Sequence, residues 1–300
     1  MRRRQIFQAF GAAFAASALG AGFGGASAFA QSRDQSGEQS RDQAREQSLD
    51  QSRRVERPGL QLYTLRGAMA DDFEGTLARV AEMGYREMEF AGYFGRDAGM
   101  VREALERNGL SSPAAHLGLN AVRENLAAEI DFAAELGQRF LVVPYLPADE
   151  RGLDDYRRLA ETLNRAGEQC RAAGLKMGYH NHDFEFAPTG GRIPYDLLLE
   201  ETDPELVDME LDLYWIAAAG HDTLAYFDAH PGRFTMLHVK DRAADGAIAD
   251  VGAGGIDFAA LFAHGETAGI AHYFVEHDNP GGDGFGSVAR SLEHLRGLRF

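Results

Sequence analysis

The chain has 300 residues, 45% of them hydrophobic, enough for one large domain or two small ones. Its formal net charge of −16, with no basic patch past the N-terminus, argues against a nucleic-acid partner. Cys170 is the single cysteine, which excludes an intrachain disulfide, and no cysteine near the start supports a lipid anchor.

Residues 1–30 read as an export signal. Arg2, Arg3 and Arg4 precede an Ala/Gly/Phe-rich stretch that ends in Ala28-Phe29-Ala30. The order Arg3-Arg4-Gln5-Ile6-Phe7 resembles a twin-arginine signal, so a periplasmic location is expected, with no membrane attachment after cleavage. Cutting after Ala30 removes three arginines, and the mature charge becomes −16 − 3 = −19. Residues 31–58 form a linker, and up to residue 54 they repeat QSRD-like tetrads. With almost no apolar residue they cannot bury a core, and a disordered tether is expected.

From Leu60 onward, eight short apolar runs alternate with helical patterns. The runs are 60–65, 87–91, 112–117, 140–145, 176–182, 208–214, 235–240 and 271–277. Amphipathic stretches lie between them at 73–83, 100–108, 122–136, 154–173 and 258–268. Gly84, Gly109, Gly137, Gly174 and Gly269 each follow a helical stretch and precede a strand, as left-handed C-terminal caps do. This alternation predicts an α/β fold, a (β/α)8 TIM barrel over residues 59–300. The competing open sheet lacks a glycine-rich phosphate turn after its first strand.

In such a barrel, reactive groups project from the C-terminal ends of the strands. Asp212, His238 and Glu276 lie there on three successive strands, each inside an apolar run where an unpaired charge is costly. A carboxylate, an imidazole and a second carboxylate suit Mn²⁺, Co²⁺, Zn²⁺, Mg²⁺ or Fe²⁺. The fifth strand ends in "GYHNHDFEF", whose alternation puts His180 and His182 on one face. Arg66, Glu89 and His116 end the first three strands and are expected to line the pocket mouth. Lys240 shares a face with His238 and is expected at the substrate; the alternative is that Lys240 and Asp241 pair with each other. The glycine-rich "NPGGDGFGS" at 279–287 reads as a turn or lid rather than an anion cradle.

The motifs "GLQLYTLR", "EFAGYFG", "GYHNHDFEF", "ELDLYW", "LHVKD", "GAGGIDF" and "FVEHD" resemble the sugar phosphate isomerase/epimerase family, whose barrel is of the xylose isomerase-like, AP endonuclease family 2 type. The resemblance implies one divalent metal held from strands five to eight, with Asp212, His238 and Glu276 as three ligands. The family's epimerases carry a glutamate on strand five that aligns with Gly178 here. The resemblance therefore leaves Glu185 and His182 as candidates for the fourth ligand, with His180 facing substrate. Trp215 falls where epimerases carry a substrate-binding histidine. His180, Glu185 and Glu276 are the implied acid/base residues. The implied function is a metal-dependent sugar isomerase or epimerase that removes a proton beside a carbonyl through a metal-stabilised enediolate. The alternatives are a lyase that eliminates from a 3-keto-glycoside or polyol, and a non-catalytic exported carbohydrate-binding protein. The expected partner is a small sugar or glycoside, and a homo-oligomer is compatible with the composition.

Overall fold

The computed structural model describes residues 53–300. The export signal and residues 31–52 of the linker lie outside the described residues. Eight parallel strands close into a barrel: β1 (Gly59–Gln61), β2 (Glu87–Phe90), β3 (Ser111–His116), β4 (Phe140–Val143), β5 (Lys176–His180), β6 (Val207–Asp212), β7 (Met236–Val239) and β10 (His272–Val275). A two-stranded antiparallel ribbon of β8 (Asp241–Arg242) and β9 (Ile248–Ala249) stands apart from it. Each of the eight apolar runs overlaps a barrel strand, and every strand ends before its run does. The first strand is only three residues long, because Leu62–Leu65 turns into a 3₁₀ helix after Gln61 caps the Tyr63 N–H.

Each glycine expected to end a helix has positive φ, from 62° at Gly109 to 111° at Gly84. The helical stretch expected over 122–136 breaks at Asn125 into Leu119–Glu124 and Leu126–Leu136. Helices at Pro194–Glu201, Leu213–Ala218, Thr223–Ala229 and Gly284–Gly297 were not among the expected stretches. Among the described residues, no helix is long and apolar enough to cross a membrane. Residues 53–58, assigned to the linker by composition, lie against the barrel. Arg53 and Phe300 exchange two backbone hydrogen bonds, and Val55 is buried.

Alternation along each strand sorts the barrel into an outside and an inside. Leu141, Val143, Met177, Tyr179, Leu211, Leu237, Val239 and Val275 face the helices and join the main core. Inward-facing Ala114, Phe140, Val142, Met236 and Phe274 form a separate apolar plug. The strands are parallel, so the residue two positions beyond each plug residue sits nearer the C-terminal mouth. Those residues include His116, His238 and Glu276. The site is built directly on this plug.

Candidate metal centre and active site

Above the plug lie two layers of polar side chains with almost no exposure. The lower holds Glu89, His116, His180, Glu210 and His238; the upper holds Asp212, Lys240 and Glu276. His238 joins the layers. Its Nε2 is 2.8 Å from Glu89 Oε2 and 3.2 Å from Glu210 Oε2. Its Nδ1 is 2.8 Å from Glu276 Oε2 and 3.8 Å from Asp212 Oδ2. Two sets of donor atoms, each within 4.8 Å, therefore share this imidazole: Asp212, His238 and Glu276 above, and His116, His180, Glu210 and His238 below.

Of four buried carboxylates, Asp212 and Glu276 face the Lys240 ammonium, and Glu89 and Glu210 face the His116 and His238 imidazoles. Burial opposes charge on His238, but Glu210 and Glu276 outweigh it and hold the imidazole well above its usual range. Burial also opposes charge on Glu276, yet Lys240 and His238 keep it well below the ordinary carboxylate range. Asp212 is pushed up to about 6 by burial, against the pull of Lys240. Glu89 is pushed up to about 7, first by burial and then by Glu210. A cluster of buried carboxylates, a buried Glu210 oxygen without a partner and a mixed O/N donor set fit a divalent cation. In the upper set Asp212, His238 and Glu276 would hold it.

The site opens into a cavity of about 580 Å³ at the C-terminal mouth of the barrel. Its lining includes Tyr63, His116, Tyr145, His180, His182, Lys240, Glu276, Asp278 and Asn279. Lys240 is the only Lys or Arg in that lining, and its Nζ is tied to Asp212 at 2.9 Å, Glu276 at 2.7 Å and Asp278 at 2.7 Å. His180 is held well below its usual value by burial and by His238, and His182 is lowered to about 3 by burial and by Lys240. Both are neutral imidazoles at pH 7. His116 is raised, because Glu89 and Glu210 together overcome the cost of burial.

The model of the xylose isomerase-like TIM barrel family matches residues 77–298. The chain belongs to this family. A solved sugar phosphate isomerase/epimerase of Parabacteroides distasonis is 31% identical, with a TM-score of 0.71, over 81% of this chain and 94% of that one. An inosose dehydratase of Geobacillus thermodenitrificans is 24% identical over 75% of this chain and 89% of its own length. A D-allulose 3-epimerase of Methylomonas sp., solved with D-allulose, shares the fold at 16% identity and a TM-score of 0.63.

The structure brings together some of the expected site residues and sets others apart. Asp212, His238 and Glu276 converge, while His116, His180, His182 and Lys240 reach the cavity with them. Glu89 lies beneath the cavity floor, fully buried against His238. Glu185 turns away: its Oε1 accepts from the Tyr179 hydroxyl at 2.6 Å and its Oε2 from the His182 N–H at 2.8 Å. Arg66 lies outside the main cavity, stacked over Tyr63 and bonded to the Asp278 carbonyl. Trp215 gives its backbone N–H to Asp212 Oδ1, and its ring flanks His182 at 5.3 Å.

Two expectations need correction. The family alignment at Gly178 does not mark a missing ligand, because Gly178 sits in the plug layer. A Cβ there would meet Val142 Cγ2 at 2.9 Å, and the β5 residue at the height of the cluster is His180. Lys240 and Asp241 do not pair either. Asp241 instead accepts the backbone N–H groups of Gly252, Gly254 and Ile256, which holds the "GAGGIDF" loop. The start of the Gly284–Gly297 helix is capped by Asp283, which leaves a turn rather than an anion cradle. Glu210 was not singled out in the sequence. The signal was there in "MELDLYW", where alternation puts it on the face of Asp212, one layer deeper.

Proposed function

We propose that the protein is a divalent-metal-dependent enzyme that removes a proton from the carbon beside a carbonyl of a small sugar or polyol, as an isomerase or epimerase. The single observation that carries this reading is the convergence of Asp212, His238 and Glu276 at a cavity also lined by neutral His180 and His182. A divalent cation bound there supplies Lewis-acid polarisation of the carbonyl oxygen. Glu276, kept ionised by Lys240 and His238, or the neutral imidazole of His180 accepts the substrate proton. Lys240 reaches the cavity as a fixed ammonium and orients a substrate oxygen. Glu185 acts on the site by anchoring the backbone of His182.

The substrate in this reading carries no phosphate. The lining cation Lys240 is already tied to three carboxylates, and a dianion would meet Glu276 and Asp278. This agrees with export to the periplasm, which the N-terminal sequence suggests.

A second reading, elimination of water or an aglycone, draws on His116. It lines the cavity, and Glu89 and Glu210 raise its hold on a proton against the cost of burial, which suits a general acid for a leaving group. NMR in D₂O with Mn²⁺-loaded protein separates the two, using free ketoses, cyclic polyol ketones and 3-keto-glycosides as substrates. Deuterium entering a C–H without loss of a group supports isomerisation or epimerisation. Release of water or aglycone supports the lyase. Cation binding with no exchange into any of them rejects both in favour of a binding protein.

A further inference from the structure

We propose that Glu89 and Glu210 are positioning residues for the cation: they hold the Nε2–H of His238 and so fix Nδ1 as the nitrogen offered to the ion. This rests on the reading of Asp212, His238 and Glu276 as ligands. Both ring nitrogens face carboxylates: Nε2 lies 2.8 Å from Glu89 Oε2 and 3.2 Å from Glu210 Oε2, and Nδ1 lies 2.8 Å from Glu276 Oε2. A cation held by Asp212 and Glu276 would take the place of the Nδ1 hydrogen and leave the Nε2 hydrogen on its two acceptors.

The ring cannot easily turn over. Its face stacks on the His116 ring at 5.3 Å between centroids and 16° between planes, and Phe274 meets it edge-on from the plug. Glu210 is itself anchored, since His116 Nε2 lies 2.8 Å from the same Oε2. Strand geometry supplies the rest. Glu210 and Asp212 are i and i+2 on β6, so one strand delivers a ligand to one side of His238 and a carboxylate brace to the other. A carboxylate behind a ligating histidine fixes its tautomer and raises its basicity. The lower donor set is therefore the support of the upper one and holds no ion of its own.

The test uses the full chain, stripped with chelator and titrated with Mn²⁺ or Co²⁺. The expected result is one ion per chain. Glu89→Ala and Glu210→Ala weaken its affinity by about 10- to 100-fold. Glu210→Gln, which keeps a carbonyl acceptor for Nε2–H, recovers most of that loss, and the visible Co²⁺ bands stay where they are in the unaltered protein. A second measurement needs no variant: long-range ¹H–¹⁵N correlation of His238 in the Zn²⁺-loaded protein is expected to show a protonated Nε2 and a metal-bound Nδ1. Unchanged affinity in both alanine variants, or a metal-bound Nε2, overturns the positioning role alone. Two ions per chain, one of them lost with Glu210→Ala, overturns it by making the lower set a site itself. An unaltered protein that binds no ion overturns the reading of the ligands and this inference together.

Discussion

The ammonium of Lys240 lies 2.7 Å from Glu276 Oε2, the same oxygen that sits 2.8 Å from His238 Nδ1. Lys240 is thus the fixed counter-charge of the carboxylates that face the cation site, with Asp212 and Asp278 as its other partners. Burial disfavours its charge, but these three carboxylates drive it above its ordinary value. Lys240→Met keeps the stem and removes the charge. Without added metal the variant is expected to lose about 3–5 kcal/mol, the usual cost of breaking a buried ion pair. Mn²⁺ is then expected to raise its melting temperature by more than it raises that of the unaltered protein. Thermal unfolding with and without Mn²⁺ reads both effects, and a metal-free variant as stable as its parent contradicts the role.

Asp212 has two separate tasks, one for each oxygen. Oδ1 caps the Leu213–Ala218 helix through the Trp215 N–H, and Oδ2 points to Lys240 and His238. Asp212→Asn keeps a capping oxygen but loses the anionic ligand. The expected outcome is a folded protein whose affinity for Mn²⁺ falls at least about tenfold. Asp212→Ala is expected to cost a further ~1 kcal/mol of stability through the lost cap. Bound metal after dialysis and chemical denaturation measure the two separately. Full metal content in Asp212→Asn would remove this residue from the ligand set.

Glu185 makes stability depend on pH. Burial pushes its carboxyl from 4.5 up to about 7, against the hydrogen bonds from Tyr179 and His182. Between these values the folded chain holds a proton that the unfolded chain has lost, so the Glu185 contribution falls as pH rises through that window and levels off above it. At most about 3 kcal/mol is involved. Glu185→Gln is neutral at every pH; its oxygen can accept the His182 N–H while its amide N–H donates to the Tyr179 hydroxyl oxygen. The variant is expected to match its parent near pH 5 and to be the more stable of the two near pH 8. Denaturation curves at both values decide it; a stability difference that does not change with pH rules the effect out.

The barrel was legible because each of its parts writes a local signal: eight apolar runs, amphipathic stretches between them, and glycines where φ must turn positive. Asp212, His238 and Glu276 stood out for the same reason, as charges inside strands that would otherwise be apolar. The helices at 194–201, 213–218, 223–229 and 284–297 were less visible. Leu213–Ala218 is too short to show a period, and Gly284–Gly297 begins in a glycine-rich run that reads as a turn. Glu185 shows where motif reasoning stopped. It lies in a stretch dense in histidine and acid, yet its 3₁₀ turn aims it at Tyr179 and away from the cavity. Only a fold can tell which side of such a turn faces inward. Glu210 was missed for the opposite reason, since one strand placed two carboxylates on the same face and only the outer one invited notice.

The register at β5 yields a last prediction. Gly178 is paired with Val142 and Asp208, and its missing side chain leaves room for Val142 Cγ2 and the methyl of Met236. An added methyl in a filled plug forces neighbours to shift, and overpacking of this kind costs about 1–3 kcal/mol. Gly178→Ala is therefore expected to lower stability by that amount while leaving Mn²⁺ affinity unchanged, because the plug lies a layer below the donor atoms. Gly178→Glu is expected to be more damaging and to add no ligand, since a carboxylate there would be buried among apolar side chains. His180 stands at the height where an added carboxylate meets the cluster. If Gly178→Glu tightened Mn²⁺ binding and His180→Glu did not, the layer assignment of β5 would have to be shifted by two residues.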